Sequence, residues 1–194
     1  MYLTTDTAAR ALELLTEGMS VNAVERLTGV HHTTILKLLV QIGERCEKFS
    51  ADRIRNVRVK NVEVDEIWQH IRKKERHKRP HEIEDHCIGD SYTFVGIERD
   101  TKLILAWHLG RRTAISTMQF VGKLRKAVNP MHWFQLTSDG FRPYIEAVDH
   151  QFAGRIDFAQ LVKVYATARE GEERYSPGDV VETIPTPILG QCVF

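Results

Sequence analysis

The hydrophobic positions of residues 4–49 recur every three to four residues, which is the spacing of amphipathic helices. Three helices are predicted, over residues 5–17, 20–29 and 32–49. Glycines that follow the first two helices are suited to ending them. A short helix, a tight turn with glycine and a longer helix predict a helix-turn-helix, whose second element enters the major groove of DNA.

The start of the third helix is then the part that meets DNA. Its side chains suited to base edges or phosphates are His31, His32, Thr33, Thr34 and Lys37. The alternative is a three-helix packing or oligomerisation module, which the slightly acidic character of residues 1–50 favours.

From residue 57 the pattern changes to an alternation of period two, which predicts a β-strand that reaches Asp65. Residues 92–97 and 103–109 predict a strand and its hairpin partner. Helices and strands then alternate, over residues 115–128, 133–137, 143–152 and 156–164. This order predicts a mixed α/β sheet on the ribonuclease H-like plan, with a helix-turn-helix domain over residues 1–50 and a second domain over residues 57–194.

Two acids stand at comparable places in this pattern. The apolar run that starts at Phe134 ends in Asp139 and Gly140, so the sheet delivers a carboxylate to its rim. Asp65 lies at the end of, or within, the first predicted strand. Each could instead be a turn or capping residue, since Asp is common there. If they converge on one crevice, they offer oxygen ligands to a hard divalent cation.

Composition and charge restrict the class of protein. With 42% hydrophobic and 27% charged residues, the 194-residue chain is typical of a globular protein. No apolar run is long enough to span a membrane, and the three cysteines lack metal or disulfide spacing, so a reducing, cytoplasmic setting is expected.

The most basic stretch is residues 72–79, which is either a solvated loop or a phosphate-contacting loop. The phosphate-contacting side chains would be Lys73, Lys74, Lys78 and Arg79.

Several motifs resemble those of the DDE transposases of bacterial insertion sequences, specifically the founding family with the short catalytic domain. Among them are Val-Asp-Glu-Ile-Trp, Gly-Arg-Arg-Thr and Leu-Thr-Ser-Asp-Gly. The matching stretches are residues 64–68, 73–74, 89–95, 102–108, 110–113, 136–140 and 157–165.

The resemblance implies that Asp65 and Asp139 are the first two catalytic acids, on a ribonuclease H-like fold with Mg²⁺ or Mn²⁺. It further implies double-stranded DNA, as element ends and target, and further copies of the chain as partners. The reaction would be metal-dependent strand cleavage and transfer.

The chain departs from that family after the fifth strand, where no His-Val-Glu-Arg-like motif supplies the third acid. The remaining acids there are Glu170, Glu172, Glu173 and Glu182, in a stretch rich in Gly and Pro that predicts no helix. The last nine residues look out of frame or truncated. Glu66 is expected to point to the opposite sheet face from Asp65 and to have no role in the site, and Trp68 to be a core or rim residue.

Three functions follow as hypotheses. The first is an insertion-sequence transposase that is incomplete at its C-terminus and therefore inactive alone. The second is a DNA-binding regulator with an incomplete catalytic domain. The third is a metal-dependent nuclease of the same fold that uses another acid.

Overall fold

The computed structural model describes residues 3–85, 87–165 and 180–193 of the chain. The chain divides into two units, Met1–Arg53 and Ile54–Phe194. We call them the helical unit and the sheet unit. Within the described residues, every helix is too short or too polar to cross a membrane.

The helical unit contains the three helices that the periodicity predicts. Polar caps begin the first two helices, and Gly29 ends the second in the left-handed conformation at φ +69°. Their small core consists of Ala11, Val24, Val30 and Ile35. The helices are α1 (Thr5–Thr16), α2 (Val21–Thr28) and α3 (His32–Arg53). These helices do not by themselves show DNA binding, which remains a prediction.

The sheet unit is built on a mixed sheet of six strands in the order β3-β2-β1-β4-β5-β6. The first three strands pair antiparallel, β1, β4 and β5 run parallel, and β6 pairs antiparallel with β5. This mixed α/β architecture is consistent with the predicted ribonuclease H-like plan. The strands are β1 (Asn61–Ile71), β2 (Gly89–Glu98), β3 (Ile104–Gly110), β4 (Gln135–Asp139), β5 (Asp157–Tyr165) and β6 (Val180–Leu189).

Two helices, α4 (Ala114–Ala127) and α5 (Pro143–Phe152), supply the rest of the main core of the sheet unit. Apolar side chains on these helices meet alternate side chains of β1, β2, β4 and β5, because successive side chains of a strand point to opposite faces. The fully buried members include Val62, Phe94, Phe120, Leu124, Leu136, Tyr144, Val148 and Phe158.

Strand β6 was not predicted from the sequence, which gave no element after β5. Pro185 and Pro187 lie opposite Leu161 and Ala159, two residues apart, so their nitrogens face the same way. Because β6 is the outermost strand, the missing N–H groups can point away from the sheet, where no partner is lost. Proline disrupts central strands because it removes a hydrogen bond of the ladder, and at this edge position no such bond is lost.

Candidate metal centre

The candidate site lies where β1 and β4 part. These strands pair only over three residues, Asn61–Glu63 with Gln135–Thr137, whereas β1 continues to Ile71 against β2. The β4-facing edge of β1 is therefore open beyond Glu63. Asp65 and Glu66 lie on this open stretch, and Asp139 is the last residue of β4.

Three carboxylates meet at this opening. One oxygen from each of Asp65, Glu66 and Asp139 lies within 4.8 Å of the other two. The structure thus brings together Asp65 and Asp139, which the sequence singled out, and it places Asp65 within a strand, which is one of the two positions that the pattern left open. Their catalytic role remains a prediction.

Glu66 corrects the sequence analysis, which gave this residue no role in the site. As alternation predicts, the two side chains start from opposite faces of β1. Asp65 is exposed, whereas Glu66 lies on the same face as buried Val62 and Val64 and its side chain is only 3% exposed. However, the Asp65 carboxylate turns back to the open strand edge, where its Oδ1 accepts the Glu66 backbone N–H at 2.8 Å. Both carboxylates can therefore reach the same gap, which alternation alone excludes.

Arg112 carries the positive charge of the site. Its Nε donates to Glu66 Oε2 at 2.9 Å and its Nη2 donates to Asp139 Oδ2 at 3.0 Å. The guanidinium carbon also lies 3.9 Å from the centre of the Phe141 ring. Arg112 is placed just before the N-cap of α4, Thr113, so the helix fixes where this side chain starts.

The turn after β4 holds Asp139 in place. Asp139 Oδ1 accepts the Phe141 backbone N–H at 3.0 Å. The buried amide of Gln160, on the neighbouring strand β5, donates to the backbone carbonyls of Asp139 and Phe141 at 2.9 and 3.2 Å. Buried amides need such partners, so Gln160 and the turn stabilise each other beneath the site. Gln160 is a supporting residue that the sequence analysis did not identify.

Burial controls the protonation of the Glu66 carboxyl. It raises the pKa of Glu66, and the nearby Asp139 carboxylate adds to the rise, while Tyr144 and Arg112 act in the opposite direction. Burial and the neighbouring Glu66 likewise hold the pKa of the Tyr144 hydroxyl well above its usual range. Even so, neither Glu66 Oε1 nor the Tyr144 hydroxyl finds a hydrogen-bond partner with good geometry among the described residues.

The donor set suits a hard divalent cation. It consists of carboxylate oxygens, the ligands that Mg²⁺ and Mn²⁺ prefer. The acids open into a cleft of about 590 Å³, lined in part by Asp65, Arg112, Asp139, Arg142 and Lys163. The residues present therefore fit a cation.

The basic residues 72–79 form a loop that contains a short 3₁₀ turn, Glu75–His77. Lys73 pairs with Glu82 at 2.9 Å, and its hydrogen bonds lower the pKa of Glu82 to about 2. Lys78 pairs with Glu75 at 2.7 Å, and its side chain is only 4% exposed. These two lysines therefore pair with the protein's own acids, and their contact with phosphates remains a prediction.

Of the other basic side chains in the loop, Arg76 and Arg79 are exposed and Lys74 is half-buried. Lys74 lies over the exposed ring of Trp68, with its ammonium 5.0 Å from the ring centre, and Arg79 is exposed. Gly89 allows the loop to close on β2: its φ is +104°, and an added Cβ would lie 2.0 Å from Glu75 Oε2. Arg111 completes this attachment by donating to Glu75 at 2.7 Å.

In the helical unit, the predicted DNA-contacting side chains lie at the start of α3. Thr33, Thr34 and Lys37 are exposed. His32 is half-buried, and its backbone N–H and Nδ1 both lie 3.1 Å from Glu25 carboxylate oxygens. His31 Nδ1 lies 2.9 Å from the Thr33 hydroxyl. Glu25 therefore caps α3 and orients His32, while the other four side chains remain on the surface.

The acids that the sequence offered as a third ligand do not join the site in the described part of the chain. Glu182 is exposed on β6, opposite Val164. Glu170, Glu172 and Glu173 lie outside the described residues. Glu66 and Arg112 are the site residues that sequence reasoning missed. The adjacent pairs Asp65-Glu66 and Arg111-Arg112, both within matching motifs, were the available signals.

Comparisons with known proteins leave the family open. No protein-family model and no curated protein matches the chain. Among solved structures, the chain is similar to the crystal structure of endonuclease V from Bacillus subtilis, with 13% identity and a TM-score of 0.27. The similarity covers 71% of this chain and 58% of that one, so the chain spans less than two thirds of that protein.

Proposed function

We propose that this protein cleaves and joins DNA strands in a metal-dependent reaction, as an insertion-sequence transposase does. Glu66 is the observation that carries this proposal. One oxygen of its carboxylate lies within 4.8 Å of an oxygen of Asp65 and of an oxygen of Asp139, so three carboxylates can share one cation without an acid from the region after β5. The motif resemblance supports transfer of strands rather than simple cleavage.

Asp65, Glu66 and Asp139 would hold Mg²⁺ or Mn²⁺. Such a cation polarises a phosphoryl oxygen and activates the attacking hydroxyl. The chain itself supplies the positioning: Gln160 and the Phe141 backbone N–H keep the Asp139 carboxylate at the end of β4.

The cleft also has the charge that a DNA backbone needs. Arg142 and Lys163 line it with exposed basic side chains, on the same opening as the acids. Phosphate contacts of this kind position a strand without reading its sequence. Recognition of particular element ends would then come from Thr33, Thr34 and Lys37 on α3, with His31 and His32 beside them.

The second candidate is a catalytically silent DNA-binding regulator. Arg112 favours it, because the guanidinium already pairs with two of the three carboxylates without any metal. On this alternative the acids and Arg112 are a structural ion cluster. The two candidates differ in whether any strand chemistry depends on a divalent cation.

The test is an oligonucleotide cleavage and joining assay in Mg²⁺ and in Mn²⁺, with the whole chain and two variants. We expect Asp139→Asn to lower the rate by a factor of about 100 or more, the scale seen when stabilisation of transition-state charge is lost. The matched control, Glu182→Gln, also neutralises one acid but lies on β6, and should keep its activity. Element-end DNA bound but never cleaved by the unaltered chain would favour the regulator, and cleavage by Asp139→Asn at an undiminished rate would exclude this site.

A further inference from the structure

Arg112 takes up the places that a cation would need. Of the carboxylate oxygens at the site, Glu66 Oε2 and Asp139 Oδ2 each accept one of its N–H groups, at 2.9 and 3.0 Å. The Glu66 side chain is 3% exposed and the Arg112 side chain 36% exposed. The bond to Glu66 is thus largely shielded from water, where charge-assisted hydrogen bonds are stronger.

The charges explain why a guanidinium is present. Three carboxylates within 4.8 Å repel one another, and burial makes the charge of Glu66 more costly. Arg112 compensates this repulsion in the metal-free protein. Its planar group can reach two acids at once, which a lysine ammonium does less well.

We propose that Arg112 is an internal counter-ion that competes with the divalent cation for Glu66 and Asp139. The inference rests on the proposed function, since it needs a metal at the three acids. The cation and the guanidinium cannot both neutralise the same two oxygens at full strength. Metal loading therefore weakens both Arg112 bonds and shifts the guanidinium away from the acids.

Phe141 determines where the released guanidinium goes. The ring lies 3.9 Å from the guanidinium carbon, and both residues line the cleft. Stacking on this ring can persist after the carboxylate bonds are lost, because it does not involve the acids. Arg112 then offers its N–H groups to the cleft, where a DNA phosphate oxygen is the complementary ligand.

Competition of this kind couples the two ligands. A phosphate that binds Arg112 removes the competitor, so the protein with DNA should bind the cation more tightly than the free protein. By linkage, the cation should strengthen DNA binding by the same factor. Arg112 thus limits metal loading until DNA is present.

The test is the Mn²⁺ affinity of the whole chain without DNA, measured by titration calorimetry. We expect Arg112→Gln to bind Mn²⁺ about tenfold more tightly than the unaltered chain, a fold-change on the scale of one charge-assisted hydrogen bond. Arg112→Lys, which keeps the charge but not the fork, should lie between the two. The matched control is Arg142→Gln, which removes a positive charge from the same cleft but has no carboxylate bond among the residues that the structure describes.

Equal or weaker Mn²⁺ binding by Arg112→Gln would overturn the proposal, and so would an increase no larger than that of Arg142→Gln. Circular dichroism establishes whether Arg112→Gln is folded. If it is not folded, the Mn²⁺ affinity of Arg112→Lys is compared with that of the unaltered chain and of Arg142→Gln instead. Asp139→Asn separates the two proposals. If it binds Mn²⁺ as well as the unaltered chain, the metal site itself is wrong, whereas loss of binding in Asp139→Asn with no gain in Arg112→Gln refutes only the role of Arg112.

Discussion

Glu66 shows how one buried side chain changes the chemistry of its surroundings. Its pKa is raised because burial disfavours the carboxylate, and Arg112 offsets only part of that cost. A cation at the three acids would offset more of it. The same burial that destabilises the metal-free protein would therefore favour metal binding, which is a common property of functional sites.

The pH dependence of stability follows from the raised pKa of Glu66. A carboxyl that holds its proton more tightly when folded stabilises the protein below its ordinary pKa of 4.5, and this contribution is lost as the pH rises through the higher folded value. In the absence of metal, Glu66→Gln should therefore unfold at a higher urea concentration than the unaltered chain at pH 7.5, and at nearly the same concentration at pH 4.

Glu63→Gln is the matched control for this measurement, since Glu63 is an exposed acid on the same strand. It should leave the urea midpoint unchanged at both pH values. A Glu66→Gln variant that is less stable than the unaltered chain at pH 7.5 would mean that the ion pair with Arg112 outweighs the cost of burial.

At the scale of elements, periodicity predicted most of the helices and strands, but it left the end of β1 open and missed β6, and both outcomes have identifiable causes. The strand β1 continues past Asp65 to Ile71 because β2 pairs with it throughout, although Ile67, Trp68 and Ile71 stay exposed. Burial patterns cannot indicate a strand that is held by backbone pairing alone. Strand β6 was missed because prolines usually argue against a strand, and only the sheet order shows that it lies at an edge.

The basic loop gives a prediction that separates its exposed charges from its internal ones. Changing Lys74, Arg76 and Arg79 together to Gln should reduce the slope of log affinity for duplex DNA against log salt by about 0.9 for each phosphate contact removed. All three changes leave the ion pairs of Lys73 and Lys78 intact.

Lys78→Gln is the contrasting variant. Its buried side chain pairs with Glu75 and donates to the carbonyls of Ile83 and Asp85, so its loss should lower the free energy of unfolding by about 1–3 kcal/mol. The salt slope should change little. An unchanged slope in the triple variant would show that the loop is merely solvated.

At the scale of the whole molecule, the site arises from how the sheet is assembled rather than from any single motif. The sequence indicated Asp65 and Asp139 because each follows an apolar run. The hydrophobic pattern could not indicate Glu66, whose inclusion depends on the early separation of β4 from β1. Nor could it indicate Arg112, which lies 46 residues from Glu66 in sequence and meets it through the packing of α4.

Mn²⁺ binding to variants of the third acid is the measurement that tests the carboxylate site most directly. Titration calorimetry of the unaltered chain, Glu66→Gln and Glu182→Gln compares the acid that the structure places at the site with one that it places on β6. We expect Glu66→Gln to weaken Mn²⁺ binding at least about tenfold, which is 1.4 kcal/mol of binding free energy, and Glu182→Gln to leave it unchanged. Unchanged Mn²⁺ binding in Glu66→Gln would contradict a site formed by Asp65, Glu66 and Asp139. A loss of binding in Glu182→Gln would place the third acid on β6 instead.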